Sequence, residues 1–457
     1  MRAPEHKGCR LLVALALLTA IAGHARGIVR RRRGFGDGGQ EYGYVDVRDG
    51  AHMFYWLYYV NGGDTPADKP LVLWLQGGPG ASSTSFGNFE EIGPLDSNLN
   101  ARNATWVKYV NVMFVDNPVG TGFSYVDSTS KLTTNNKQIA SDLVELTRGF
   151  LKRHPQFRNI PVYVFSESYG GKMAAEFALN LFKEKKAGTI DVNIQGVALG
   201  DAWISPVDTV LSWANYLLQT GMVDRRGHRA VQVAANKSSA AAAVGKWREA
   251  TRRWEAVEGD VLAATRHADF YNILMPVEAR EEEPKAKSAT TDFLFRVMSE
   301  RIAPDERLDA LMNMRVKPAL GVVPERVRFR TTSAQVFNAL YADFMKPVTH
   351  IVERLLSETD LKVVVFNGQL DLIVSTPGTL AWAERLKWRM GEYWVTKAPR
   401  RALAVDGILE GFVKSAGKFS FYWINRAGHM VPADNPAASI EMLRQVTEFD
   451  KREITTE

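Results

Sequence analysis

Two textures divide the chain. Outside the stretch from about 205 to 345, short runs of Val, Ile, Leu and aromatic residues recur between Gly, Pro, Asn and Asp; inside it, Ala, Arg, Glu and Leu take over at helical spacing. Residues 42–47 and 52–60 alternate apolar and polar on either side of Asp49-Gly50, the pattern of two antiparallel strands joined by a turn. Residues 71–75 and 112–115 are unbroken apolar runs ending in Gly/Pro loops, as expected of strands buried on both faces. Residues 135–154 carry a helical repeat, and further strand-like runs fall at 162–165, 197–199, 363–366 and 419–424. Strands alternating with helices predict an α/β fold with a mostly parallel central sheet and helices on both faces. The stretch 205–345, typified by residues 234–264, predicts a helical insertion lying as a lid over a site. Residues 281–288, charged and broken by Pro284, read as an exposed loop within it. No repeat of solenoid period is present.

The chain therefore divides into a core from 42 to 204, the insertion, and a second core part from 346 to 457. Residues 1–25 read as a secretory signal peptide. Arg2, Lys7 and Arg10 precede an apolar run at 11–22 and a small-residue cleavage site at 23–25, and the run is too short to span a bilayer. Residues 26–41 read as a leader or possible propeptide containing four consecutive arginines at 30–33, which read either as a basic processing site or as a solvated basic tail. No later stretch is apolar enough to cross a membrane. The net charge of +6 is largely a property of this leader. Removing residues 1–25 takes three cations and one acid, and a cut after Arg33 takes five cations more, which leaves the chain near neutrality. Nucleic acid is thus not an expected partner, since no basic face with interleaved aromatics remains. The single cysteine, Cys9, lies in the signal segment, which excludes disulfides, thiol catalysis and cysteine zinc sites from the mature chain. Sequons at Asn103 and Asn236 fit passage through the secretory pathway, to the outside or to the lysosome.

The run Val162-Tyr-Val-Phe-Ser166-Glu167-Ser168-Tyr169-Gly170-Gly171 leads from an apolar strand into a helical pattern. A sharp strand-to-helix turn lifts one side chain clear of the backbone, which suits Ser168 as a nucleophile and the Tyr169 amide as one oxyanion donor. Ser166 stands where the G-x-S-x-G pattern has glycine. A serine needs a base held by an acid. Among the histidines, His429 is set in a Gly/Pro-punctuated loop directly after a strand, where α/β folds build their sites. Asp371 occupies the equivalent position after residues 363–366 and completes the order Ser, Asp, His. Asp201 is a weaker candidate for the acid, and Asp116 precedes the serine. The loop Gln76-Gly77-Gly78-Pro79-Gly80 lets backbone approach a substrate, and Gly78 N–H is the candidate second oxyanion donor. No phosphate loop, cofactor motif or metal-ligand spacing appears.

Residues 74–83, 116–125, 166–172, 367–371 and 427–432 together resemble the serine carboxypeptidase family. The resemblance implies an α/β-hydrolase fold with Ser168, Asp371 and His429 as the triad. It further implies that Trp74, Gln76, Glu90 and Glu167 bind the free C-terminal carboxylate of a peptide or protein substrate, with Glu91 an adjacent competitor for the role of Glu90. A carboxyl hydrogen-bonds a carboxylate only while one of them keeps a proton, so activity is expected to favour acidic pH. Three residues depart from the family pattern: Gln76 replaces asparagine, Ala81 replaces cysteine and Ser166 replaces glycine. At this level an acyltransferase or esterase using the same site, and a non-catalytic binding or protective protein on the same fold, remain open alternatives.

Overall fold

The computed structural model describes residues 34–275 and 305–450. The signal segment, the arginines at 30–33 and the loop at 281–288 lie outside the described residues.

Among the described residues eleven strands join one sheet. They are β1 (Gln40–Arg48), β2 (Ala51–Tyr58), β3 (Leu71–Leu75), β4 (Asn111–Val115), β5 (Tyr125–Val126), β6 (Pro161–Glu167), β7 (Asn193–Gly200), β8 (Lys362–Gly368), β9 (Arg400–Val405), β10 (Ile408–Ala416) and β11 (Phe419–Ile424). Their order is β1-β2-β4-β3-β6-β7-β8-β11-β10-β9, with β5 paired to β2. The six strands from β4 to β11 run parallel, and antiparallel hairpins close both ends.

Alternation along the central strands divides the core in two. Leu71, Leu73 and Leu75 of β3 face one hydrophobic cluster, while Val72 and Trp74 face the other. The first cluster is covered by α1 (Asn136–Arg153), α2 (Gly170–Lys186), α3 (Pro206–Gln219) and, further along the chain, α4 (Arg225–Ala243), α5 (Trp247–Thr265), α6 (Ala334–Phe344) and α7 (Thr349–Glu358). The second is covered by helix Pro436–Thr447 and by the segment around Leu308, Met312 and Val316. A sheet buried on both faces explains why its strands read as continuous apolar runs.

The residues from 206 to 344 are helical wherever a regular element is described. Residues 234–264 are two helices rather than one, because Gly245 turns back with φ +70° between α4 and α5. Residues 34–41 are part of the fold. Gln40 opens β1, and its Oε1 accepts the Phe35 amide at 3.1 Å and the Trp56 indole at 2.8 Å.

Parallel strands deliver all their carboxyl ends to one edge of the sheet. Gln76 follows β3, Asp116 follows β4, Ser168 follows β6, Asp201 follows β7, and Asp371 and His429 lie in the loops after β8 and β11.

Candidate active site

Ser168 sits between β6 and α2 in the left-handed region, with φ +62°. That conformation costs an L-residue with a Cβ roughly 1–2 kcal/mol, so neighbouring bonds must hold it. Its amide donates to Gly200 O at 3.0 Å, and its carbonyl accepts the amides of Gly171 and Trp203, each at 2.9 Å. The close approaches fall on the glycines around it. A Cβ on Gly77 would lie 2.5 Å from Ser168 Cβ, one on Gly170 2.3 Å from Leu75 O, and one on Gly171 2.3 Å from Ala202 Cβ. The position of Ser166 carries no such constraint. Its buried hydroxyl donates to Ala198 O at 3.1 Å, so serine satisfies a neighbouring strand where glycine would leave a gap.

His429 Nδ1 lies 2.8 Å from Asp371 Oδ2, and both side chains are buried. The other Asp371 oxygen accepts the Val374 amide at 3.0 Å. Asp371 is an acceptor, so the bond fixes the proton on Nδ1 and leaves Nε2 with its lone pair. His429 shares a pocket with Ser168, Gln76, Gly78 and Glu167. Asp116 stands apart from this pair. Its Oδ1 takes Ser82 Oγ at 2.7 Å and Thr84 N at 3.1 Å, and its Oδ2 takes Thr84 Oγ1 at 2.9 Å and Phe123 N at 2.8 Å. It therefore ties the glycine loop to the loop after β4. Asp201 is within the site, and its Oδ1 accepts the Gly368 amide at 2.8 Å.

The glycine loop lies across the elbow, with Gly78 at φ +103°. Among the described residues neither the Gly78 nor the Tyr169 amide is committed to a protein acceptor. Ala81, which stands where the family pattern has cysteine, is held by backbone instead. Ser82 N donates to Thr331 O and Ser333 N to Gly80 O, both at 2.9 Å, so the end of the helical insertion clamps this loop.

Beside the serine runs a buried chain of polar groups. Trp74 Nε1 donates to Gln76 Oε1 at 2.7 Å, and Gln76 Nε2 donates to Glu167 Oε1 at 2.7 Å. The next member is Glu91, and Glu90 does not join. Both glutamates lie on the turn Phe86–Ile92, and adjacent residues of a helical turn cannot face the same way. Gly87 lets that turn close onto Trp74, since a Cβ there would meet the indole at 2.4 Å. This places the fully buried Glu91 carboxyl against Glu167 and Gln76, while Glu90 turns toward Ser97, Arg102 and Arg307. Burial pushes Glu91 up to about 7, and burial together with the Glu91 charge pushes Glu167 well above the usual carboxylate range. Among the described residues, Glu167 Oε2 and both Glu91 oxygens have no donor. A proton held between the two carboxyls accounts for one orphaned oxygen on each.

One contributor carried no sequence signal. Residues 270–273, from the insertion, cross both loops of the His–Asp pair. Phe270 O accepts the amides of Leu372 and Ile373, Ile273 N donates to Leu370 O, and Tyr271 O accepts His429 N. Glu91 had been visible as the alternative to its neighbour, and Asp201 as a Gly-Asp step after a strand. Asn103 is exposed in a turn, whereas Asn236 is exposed in the middle of α4 with Ser238 of its sequon buried and bonded to Ala250 O.

The fold and this edge define an α/β hydrolase. Residues 34–448 match the family described as serine carboxypeptidase, and the chain belongs to that family. It is an enzyme of the serine-type carboxypeptidase class. The retinoid-inducible serine carboxypeptidase of Mus musculus is 41% identical over 96% of this chain and 98% of its own length. Serine carboxypeptidase-like 51 of Arabidopsis thaliana is 36% identical over 95% and 98%. Among solved structures, a prohormone-processing carboxypeptidase from Saccharomyces cerevisiae superposes with a TM-score of 0.76 at 21% identity, over 90% of this chain and 91% of that one. Among the described residues no helix is long and apolar enough to cross a membrane.

Proposed function

We propose that the protein removes residues from the C-termini of peptides through an acyl-enzyme on Ser168. His429 Nε2 takes the Ser168 proton as Oγ attacks the scissile carbonyl, and returns it to the leaving amine. Asp371 holds the tautomer that leaves Nε2 free and steadies the imidazolium formed. The amides of Gly78 and Tyr169 receive the oxyanion. Water then repeats the sequence on the ester. Trp74, Gln76, Glu167 and Glu91 take the terminal carboxylate, with the glutamates supplying the proton that a carboxylate acceptor needs. Binding then weakens as that proton leaves, so peptide hydrolysis favours acidic pH.

One observation carries this reading: the chain Trp74–Gln76–Glu167, with Glu91 against it, ends on the residue next to Ser168. A hydrolase indifferent to chain ends has no use for two buried acids at that place. An acidic compartment of the secretory pathway, entered by cleavage of residues 1–25 and with Asn103 and Asn236 as glycosylation sites, suits such chemistry. The test is a C-terminal ladder followed by mass spectrometry across pH, on peptides with free and with amidated ends. Stepwise shortening of the free peptide at acidic pH, with the amide cut poorly, is expected. Equal cleavage of both, or an optimum above neutrality, would overturn the reading.

A further inference from the structure

Asp201 is a fully buried acid that the mechanism above does not use. It follows β7 with φ +40°, its amide donates to Phe366 O at 2.8 Å, and its Oδ1 accepts the Gly368 amide at 2.8 Å. Its Oδ2 is buried with no donor among the described residues. Oxygens of Asp201 and Asp371 and a ring nitrogen of His429 lie within 4.8 Å of one another. Two buried carboxylates this close disfavour each other's ionisation, because like charges repel where little water screens them. Burial, and then the charge of Asp371, hold Asp201 well above the usual carboxylate range. The other titratable groups bearing on it are Asp434, from the short helix after His429, and Glu167 on β6. A cation would also accept this spacing. However, Nδ1 of His429 is already given to Asp371 and Oδ1 of Asp201 to the Gly368 amide, so a proton fills the remaining gap with the groups present.

We propose that Asp201 is a neutral carboxylic acid whose O–H donates to Asp371, making it a positioning residue that fixes the acid behind His429. The proposal rests on the assignment of Asp371 and His429 given above. Asp371 then has all its partners: His429 on Oδ2, Val374 N on Oδ1, and the Asp201 proton. The donated bond spreads the negative charge of Asp371 and so limits how strongly that carboxylate holds the imidazolium. Without it, the full charge of Asp371 falls on the imidazolium, and the acidic limb of the rate profile moves up.

The test compares kcat, KM and the acidic limb of kcat/KM for the full chain and for Asp201→Asn and Asp201→Ala. Asparagine offers the same acceptor to Gly368 and an N–H to Asp371 with no charge, so Asp201→Asn should keep kcat within about threefold and leave the limb in place. Asp201→Ala should lower kcat roughly 10- to 100-fold, leave KM nearly unchanged, and move the limb up by about half a pH unit or more. If Asp201→Ala does not fold, the far-downfield Nδ1 proton resonance of His429 in Asp201→Asn and in the parent gives the second readout, and it should persist in both. An unmoved limb and full kcat in Asp201→Ala, or loss of kcat or of that resonance in Asp201→Asn, would overturn the proposal. Failure of the underlying assignment is distinguishable, since His429→Ala or Asp371→Ala would then keep activity near that of the parent.

Discussion

The carbonyl oxygen of Tyr271 accepts the backbone N–H of His429 at 2.7 Å, while the two rings meet edge to face with centroids 4.9 Å apart. A residue of the helical insertion thus grips the loop after β11 twice, once through backbone and once through the ring. The backbone bond does not depend on the side chain at 271, whereas the ring contact needs an aromatic ring there. An edge-to-face pair contributes about 0.5–1.5 kcal/mol beyond its buried area, which as transition-state alignment corresponds to a few-fold up to about tenfold in rate. Tyr271→Ala should lower kcat/KM for peptides by that amount, and Tyr271→Phe, which keeps the ring, should retain most of the activity. Unchanged kinetics in Tyr271→Ala would mean that the loop after β11 holds His429 without help from the insertion.

Ser168 offers the most direct test of the nucleophile. Removing the attacking oxygen while keeping the strained turn should reduce turnover by roughly 10⁶-fold, with melting behaviour essentially retained. The variant should also resist labelling by a phosphonylating serine probe that marks the parent protein. Substantial residual peptidase activity would move the chemistry elsewhere in the chain.

Where chemistry depends on strand ends, the sequence was informative. Ser168, Asp371 and His429 each stand in a Gly- or Pro-bounded loop after an apolar run, and a parallel sheet brings all such loops to one edge. Orientation within a turn was not legible in the same way. Glu90 and Glu91 are equivalent in composition, and only the packing of Gly87 on Trp74 decides which of them meets Glu167. Tyr271 carried no signal because its part in the site is mainly a carbonyl oxygen and a ring edge, both set by tertiary contact. The β9–β10 hairpin has a turn signal in the sequence but no clear strand periodicity on either side of it. Asp406-Gly407, at φ +49° and +79°, is a two-residue hairpin signal, masked because the edge strand β9 opens on Arg400 and Arg401 and β10 carries Glu410 and Lys414 among its apolar positions.

Glu258 on α5 predicts a pH-dependent stability separate from catalysis. It is fully buried, both side-chain oxygens lack a partner among the described residues, and burial followed by the charge of Glu255 holds it well above the usual carboxylate range. The folded state therefore binds its proton more tightly than the unfolded chain. Below the ordinary carboxylate value both states are protonated and nothing is lost; as pH rises above it the unfolded chain ionises first and stability falls. Glu258→Gln removes the titration. By chemical denaturation it should unfold with nearly the parent stability at pH 4 and gain on the order of 1–3 kcal/mol over the parent at pH 7.5. Parallel stability curves for the two proteins across this range would show that Glu258 does not sense pH.

The pairing of Glu91 with Glu167 gives a prediction that separates neighbouring glutamates. While both glutamates are protonated, a substrate carboxylate meets donors and no charge; once Glu91 ionises, the pair is negative and its remaining proton is shared between the two carboxyls rather than offered to the substrate. With Glu91 pushed up to about 7, KM for a peptide with a free C-terminus should rise between about pH 6 and 8, and KM for the amidated peptide should not. Glu91→Gln puts a permanent amide donor where a titrating group stood, so it should flatten that rise. It also removes the charge that holds Glu167 up, so the remaining pH dependence should move to lower pH. Glu90→Gln should leave the profile where it was, because Glu90 faces Ser97, Arg102 and Arg307. Steady-state KM for both variants at four or five pH values decides the matter. A profile altered by Glu90→Gln and untouched by Glu91→Gln would return the carboxylate-binding role to Glu90.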